Sequence, residues 1–389
     1  MTPSLQDIIA ATNAGCFLRE FSFSRTQFAP PGSTEVELAD DIVSFDESLL
    51  LFQLKERTGP TNDSEREDHW FVNKVKGNAI RQIKHTLSYL DTHPIRLRND
   101  RGHEVALPHG LKDIRTVKLI VYRSGDALSS SIRTLKGHVS SSVGFIHFFE
   151  ADDYIGVLRT LVTLPEVVDY LHYRERLCLR FPNQTNILHE TCIVGHYLFG
   201  DEDAEPTYEH RLYLERLDSD VSRFEIFAIL HRFKEKAYAG YTQVPGGVES
   251  TPTDYYLLLR EFVRLNRTDL AAFKERFMWA WEHCGGEVLP PSRFASGTTG
   301  CGFVFVPLPL EAGHLAANAL PNLTIGAKYD LKVDRCVGVV FRRDGEYRLL
   351  DWMLREHPWA PDAELDAFLE KSYPFGPKRL KAVPRYTFK

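Results

Sequence analysis

Several features that decide a protein's class are missing from this chain. Its six cysteines, Cys16, Cys178, Cys192, Cys284, Cys301 and Cys336, form no CxxC pair. Neither a disulfide framework nor a zinc site is expected, and a reducing, cytoplasmic setting is the simplest one. No apolar run approaches the ~20 residues that cross a bilayer. The opening MTPSLQDIIAATNAG has no basic region ahead of an apolar core, so neither a membrane span nor a secretory leader is expected. Basic charge is not in excess. A net charge of −6 argues against a protein that coats nucleic acid through bulk charge, though a local basic groove stays compatible with it. The Gly-rich SRFASGTTGCGF lacks the Lys-Ser/Thr of a phosphate-binding loop. LHETCIVGHYL begins like a zinc-protease helix, but Ile193 stands where the second histidine is needed. Cys192, His189 and His196 then read as a satisfied, half-buried cluster. There is no internal repeat or low-complexity tract.

What is present is ordinary globular composition, 43% hydrophobic and 26% charged over 389 residues, enough for two or more domains. The chain is organised around ELADDIVSFDESLLLFQLKER, Glu37 to Arg57. Short runs of Leu, Phe, Ile and Val on either side of Asp46-Glu47 predict a β-hairpin. With a two-residue turn, opposed positions sum to 93, so Asp40 faces Gln53. Alternation then puts Asp40, Ile42, Ser44, Leu49, Leu51, Gln53 and Lys55 on one face, and Asp41, Val43, Phe45, Leu50, Phe52 and Leu54 on the other. A carboxylate, an amide and an amine gather at one end of the first face, where unpartnered polar groups are costly and usually mark a site. Asp40 is preferred; a turn one residue longer puts Asp41 there instead.

Around the hairpin, residues 4–12 predict a first helix with Ser4 and Asp7 at its start, and 16–23 a strand. The polar TGPTNDSERED predicts an exposed segment. A helix is predicted from Trp70 to Leu90, with Phe71, Val75, Ala79, Ile83, Leu87 and Leu90 as its apolar stripe. Lys74, Asn78, Arg81 and His85 share another face, with Lys76 and Lys84 nearby and Gln82 beside the stripe. That face is either simply solvated or turned toward phosphates. TVKLIVYR and VGFIHFF predict two more strands, and Pro165 opens a further helix. A first domain is expected over 1–175 and an α+β accessory domain of unknown role over 176–389. The latter is expected to hold helices near 254–265 and 269–283, and a hairpin turning at Asp344-Gly345. The tail from Ser372 carries five basic residues and no acid, which reads as a solvated tail or a nucleic-acid contact.

At the hairpin the chain resembles the PD-(D/E)xK, or restriction-endonuclease-like, nuclease superfamily. That pattern is an Asp at the start of one strand and (Asp/Glu)-x-Lys near the end of the next. Here it is Asp40, then Gln53-Leu54-Lys55. The chain resembles more closely a group of uncharacterised bacterial proteins with EFxFS, E-ADxxV, FQxKER and WFxxKVxxxAxxQI in that order. It has Glu20-Phe21-Ser22-Phe23-Ser24, ELADDIV, FQLKER and WFVNKVKGNAIRQI. The resemblance implies an α/β fold in the first domain, a restriction-endonuclease-like mixed sheet flanked by helices. It also implies an endonuclease hydrolysing DNA phosphodiesters with Mg²⁺ (or Mn²⁺), RNA being the lesser alternative, and bacterial defence against phage or mobile DNA as a setting. Asp40, Glu37 and Gln53 are then the expected metal ligands. Lys55 would orient water and stabilise phosphate charge, Gln82 would contact the nucleophile side or the phosphate, and Lys74, Lys76, Arg81 and Lys84 would meet the backbone. A homodimer or a regulatory protein is the further partner expected. Gln53 departs from the acid usual at its position. The rival expectation is therefore a catalytically inactive nuclease-fold module for nucleic-acid binding or assembly.

Overall fold

Helix α1 (Leu5–Phe17) starts at Ser4, whose side chain accepts the Asp7 amide, and buries Leu5, Ile9, Asn13 and Phe17 at intervals of four. That spacing carries the helix through residues expected to be a strand. The chain turns at Leu18 (φ 66°), and β1 begins only at Ser22 (Ser22–Phe28). The structure, a computed structural model, describes residues 3–28, 35–98, 104–107, 114–230, 233, 255–377 and 383–389. Lys378, Arg379 and Lys381 of the basic tail lie outside the described residues.

Strands β2 (Val36–Phe45), β3 (Ser48–Glu56), β4 (Arg96–Arg98), β5 (Glu104–Ala106), β6 (Arg115–Arg123), β7 (Gly137–Ser140) and β8 (Gly144–Glu150) follow. Six of them form one sheet in the order β1-β2-β3-β6-β8-β7. The β1-β2, β2-β3 and β7-β8 pairs are antiparallel, and β3-β6 and β6-β8 are parallel. A parallel neighbour requires a crossover, and β3 reaches β6 through one long helical run. It consists of α2 (Ser64–Trp70), a π-helical segment (Phe71–Asn78) and α3 (Ala79–Thr92). The segment expected to be exposed is largely so, yet it holds a helix whose Glu67 is fully buried where it takes the Arg57 guanidinium.

The π-helical stretch explains an oddity of the apolar stripe. Phe71, Val75, Ala79, Ile83 and Leu87 recur every four residues. On a pure α-helix each such step drifts about 40° around the axis. Bonding from i to i+5 winds the first part more widely and cancels the drift. Phe71, Val75, Ala79 and Ile83 therefore all pack on Ile120, Tyr122, Ile146 and Phe148. Leu90 lies with Leu38, Ala39, Ile42, Leu49 and Leu51. The opposite face of the sheet is covered by α1 and by α4 (Ala151–Leu161), where Phe52 meets Tyr154 with ring centroids 5.6 Å apart.

The domain boundary expected at 175 falls inside α5 (Leu164–Arg180). Arg174 of that helix is fully buried. It bonds Glu190 through Nε at 2.7 Å and the carbonyls of Lys136 and Phe148 at 2.7 and 3.0 Å. Glu190 opens α6 (Glu190–Phe199), so both helices are tied to the sheet. The first unit runs on to Ser219 and includes Tyr386–Lys389, and Asp220–Arg385 is a second unit. The return segment is built in: Phe388 bridges Leu217, and the Asp218 N–H donates to the Thr387 carbonyl at 2.7 Å.

In the second unit, β9 (Ser292–Ala295), β10 (Cys301–Pro307), β11 (Arg335–Asp344) and β12 (Tyr347–Glu356) form a mixed sheet ordered β12-β11-β10-β9. The β10-β11 pair is parallel, and the helix Ala316–Leu331 connects the two strands. Helices Tyr255–Val263 and Arg267–His283 stand near their expected places. The expected hairpin is β11-β12, but Asp344 pairs with Tyr347, so the turn residues are Gly345-Glu346, with Gly345 at φ 56°. Among the described residues all six cysteines are free, and no helix is long and apolar enough to cross a membrane.

Candidate functional site at the parting of two strands

The β2-β3 ladder runs from Phe45–Ser48 to Asp41–Phe52 around Asp46-Glu47. This is the register of the two-residue turn, and Asp46 meets it with φ 49°. Beyond Asp41–Phe52 the strands stop pairing, while β3 stays paired with β6 as far as Glu56. At this parting the Leu54 N–H donates to Asp40 Oδ2 at 2.6 Å. A side-chain oxygen thus takes over from the missing ladder carbonyl, as a backbone donor in a protein interior requires.

The two aspartates separate by face. Asp41 is buried (1% exposed) and accepts the Asn13 side-chain amide at 2.5 Å and the Ile42 N–H at 3.1 Å. Asn13 in turn accepts the Tyr154 hydroxyl at 2.7 Å. Asp41 therefore belongs to the α1–α4 side and is fully engaged there. Asp40 lies on the α3 side, partly exposed, with Lys55 Nζ 3.5 Å from its Oδ2.

Strict alternation would place Glu37 on the face opposite Asp40. A bulge restores them to one side. Opposite β1, Thr26 pairs with Ala39 and Gln27 with Glu37, which leaves Leu38 as an extra residue. Leu38 and Ala39 are both buried, and Glu37 and Asp40 are the wetter positions on either side. Partial burial and the neighbouring Asp40 carboxylate push the Glu37 carboxyl up, with Lys55 offsetting part of the rise.

Gln53 is 3% exposed, and its Oε1 is buried without a hydrogen-bond donor. An orphaned buried carbonyl costs roughly 1–3 kcal/mol and calls for a cause. Among the described residues no three His, Cys, Asp or Glu side chains group as ligands for a metal ion. The oxygen set available here is two carboxylates, Asp40 and Glu37, and the Gln53 amide. In donor chemistry it fits a hard divalent cation, which binds oxygen and usually keeps several waters.

Lys55 also lines a cleft of ≈ 350 Å³ together with Lys74, Asn78, Arg81, Gln82 and His85 of the long helical run. These helical positions lie at 0, 4, 7, 8 and 11 residues from Lys74, one ridge of the helix. Lys74, Arg81 and Gln82 were expected at the site. Asn78 and His85 were legible as sharing their face but were not read as part of it. Lys76 and Lys84, also expected, do not line the cleft. Lys76 instead lies near His138 of β7, where burial and then Lys76 push the imidazole down. Among the described residues Lys74, Lys76, Arg81 and Lys84 have no carboxylate partner, a concentration of free positive charge in an acidic chain.

No protein-family model matches the chain, and neither a curated protein nor a solved structure matches it.

Proposed function

We propose that the first unit is a metal-dependent endonuclease of the PD-(D/E)xK kind, with a restriction-endonuclease-like sheet and DNA as its substrate. The observation that carries this reading is the pairing of Asp40 with Lys55 where β2 and β3 part, at a cleft whose Lys74 and Arg81 have no carboxylate partner among the described residues. Asp40, Glu37 and the Gln53 amide oxygen would hold Mg²⁺ (or Mn²⁺). When bound, such an ion polarises a phosphate and lowers the pKa of an attacking water.

The chain's own groups do the rest. Lys55 places an ammonium where it stabilises charge on phosphate oxygens and orients the water. Gln82 presents an amide N–H₂ to the phosphate. Lys74 and Arg81 hold the flanking phosphates, a contact that positions the strand without reading its bases. Lys76 and Lys84, off the cleft, add long-range attraction. Cutting both strands needs two such sites, which favours a homodimer or a protein partner. A cytoplasmic role in bacterial defence against phage or mobile DNA is the setting that suits this activity.

A specific observation favours a second reading, a nuclease-fold module that binds nucleic acid without cutting it. Gln53 brings an uncharged oxygen where a carboxylate would bind the cation more strongly. One experiment separates the two. The purified chain, Asp40→Ala and Lys55→Ala are incubated with plasmid, linear DNA and RNA, plus Mg²⁺ or Mn²⁺. Cleavage by the wild type that both substitutions abolish supports the enzyme, and equal background in all three refutes it. DNA retention without cleavage supports the module, and cleavage of RNA alone reassigns the substrate.

A further inference from the structure

Lys55 is tied to Asp40 twice over. Its ammonium donates to the Leu54 carbonyl at 2.9 Å and stands 3.5 Å from Asp40 Oδ2. The Leu54 N–H donates to that same Oδ2 at 2.6 Å. Asp40, Leu54 and Lys55 thus close a ring of contacts, in which both charged side chains are only 16% exposed. Lys55 is also the cation that offsets the mutual repulsion of Asp40 and Glu37. The other cations of the cleft, Lys74 and Arg81, have no carboxylate partner among the described residues.

We propose that Lys55 is the resting counter-ion of Asp40, and that a divalent cation must take its place there. The proposal rests on the nuclease reading of the site and adds a competition within it. Two positive charges beside one half-buried carboxylate repel each other strongly, because solvent screens them incompletely. An ion arriving at Asp40 therefore has to push the Lys55 ammonium away. The cleft that Lys55 itself lines already holds Lys74 and Arg81, so the freed ammonium gains nothing by moving further into it until an anion enters. Lys55 consequently weakens cation binding in the absence of substrate. The chain holds its metal loosely until DNA arrives.

The test is Mn²⁺ binding by the full chain without DNA, read from the electron paramagnetic resonance of free Mn²⁺. The neutral variants Lys55→Met and Lys55→Gln are each expected to bind Mn²⁺ about tenfold more tightly than wild type, as removal of a nearby like charge requires. Lys55→Arg, which keeps the charge, is expected to match wild type. Adding Asp40→Asn to either neutral variant is expected to abolish the gain. Equal or weaker binding by both neutral variants overturns the competition. A gain that survives Asp40→Asn also overturns it, because the ion then sits elsewhere. No Mn²⁺ binding by any variant at millimolar concentration marks a different failure: the metal reading of the site itself falls, and the competition with it.

Discussion

Asp40 and Asp41 are neighbours in the chain and belong to opposite faces of one sheet. Leu54 and Lys55 engage the first, and the Asn13–Tyr154 pair engages the second. Their substitutions should therefore fail in different ways. Asp40→Ala is expected to abolish metal-dependent cleavage and, by leaving the Leu54 N–H without its acceptor, to cost about 1 kcal/mol in the urea midpoint. Asp41→Ala unmakes a buried polar network and is expected to cost about 2–4 kcal/mol of stability. Nuclease assays and denaturation curves on the two variants check this directly, and an exchanged pattern would contradict the placement of the site.

Gln53 offers the most informative single exchange. Gln53→Glu puts a charge on a buried oxygen that has no donor. Without metal the variant is expected to lose roughly 2 kcal/mol. Saturating Mg²⁺ should return that loss and more, because binding to the native state alone stabilises it. Denaturation midpoints with Mg²⁺ and with chelator measure both effects. A variant indifferent to Mg²⁺ would show that Gln53 faces no metal.

The cleft cations should be visible in the salt dependence of DNA binding. Lys74→Gln and Arg81→Gln are each expected to reduce the slope of log affinity against log salt by about 1. Lys84→Gln, outside the cleft, is expected to change it less. Thermal midpoints should stay unchanged, since among the described residues these side chains have no carboxylate partner to lose. Fluorescence anisotropy over a salt series decides the matter.

A pH prediction comes from the cluster around Arg174. Burial, then Glu190, pushes the Asp153 carboxyl up to about 6, against the pull of Lys136. A raised folded-state pKa means that the native state favours protonated Asp153. Its stabilising protonation is complete below the unfolded value near 4 and is lost as pH rises through 6. Asp153→Asn is therefore expected to gain about 1–2 kcal/mol over wild type at pH 8 and nothing near pH 4. Glu190 runs the other way. Despite burial, Arg174 and Lys136 hold it down to about 2, so its contribution is present above the ordinary carboxylate range and fades only as pH falls well below it. Denaturation between pH 4.5 and 8 thus reads Asp153 with little interference from Glu190.

The hairpin was legible because it obeys local rules. A two-residue turn and period-two alternation fix its register without help from the rest of the chain, and they separate Asp40 from Asp41. The bulge at Leu38 was not legible. It depends on how β1 aligns with β2, and nothing between Glu37 and Asp40 announces it. The helix after the hairpin could be read from its stripe, yet the strict spacing of four was itself a sign of mixed α and π winding. The first unit continues past the boundary expected at 175, because Arg174 and Glu190, which look like surface residues in the sequence, are buried in it. Only folding buries them against one another, with Arg174 bonded to the carbonyls of Lys136 and of Phe148 in β8. The first unit's mixed sheet with flanking helices was legible from its strand and helix runs.

The segment Tyr386–Lys389 carries a consequence for how this protein is made. It joins the first unit beside Leu217 and Asp218, yet a ribosome reaches it only after the whole second unit has been synthesised. The first unit's last backbone pairing must therefore wait for that synthesis. A nascent chain halted within the second unit would carry the Asp40–Lys55 pair but not the Leu217–Phe388 bridge. Completion of the first unit is thereby timed by translation of the part that lies outside it.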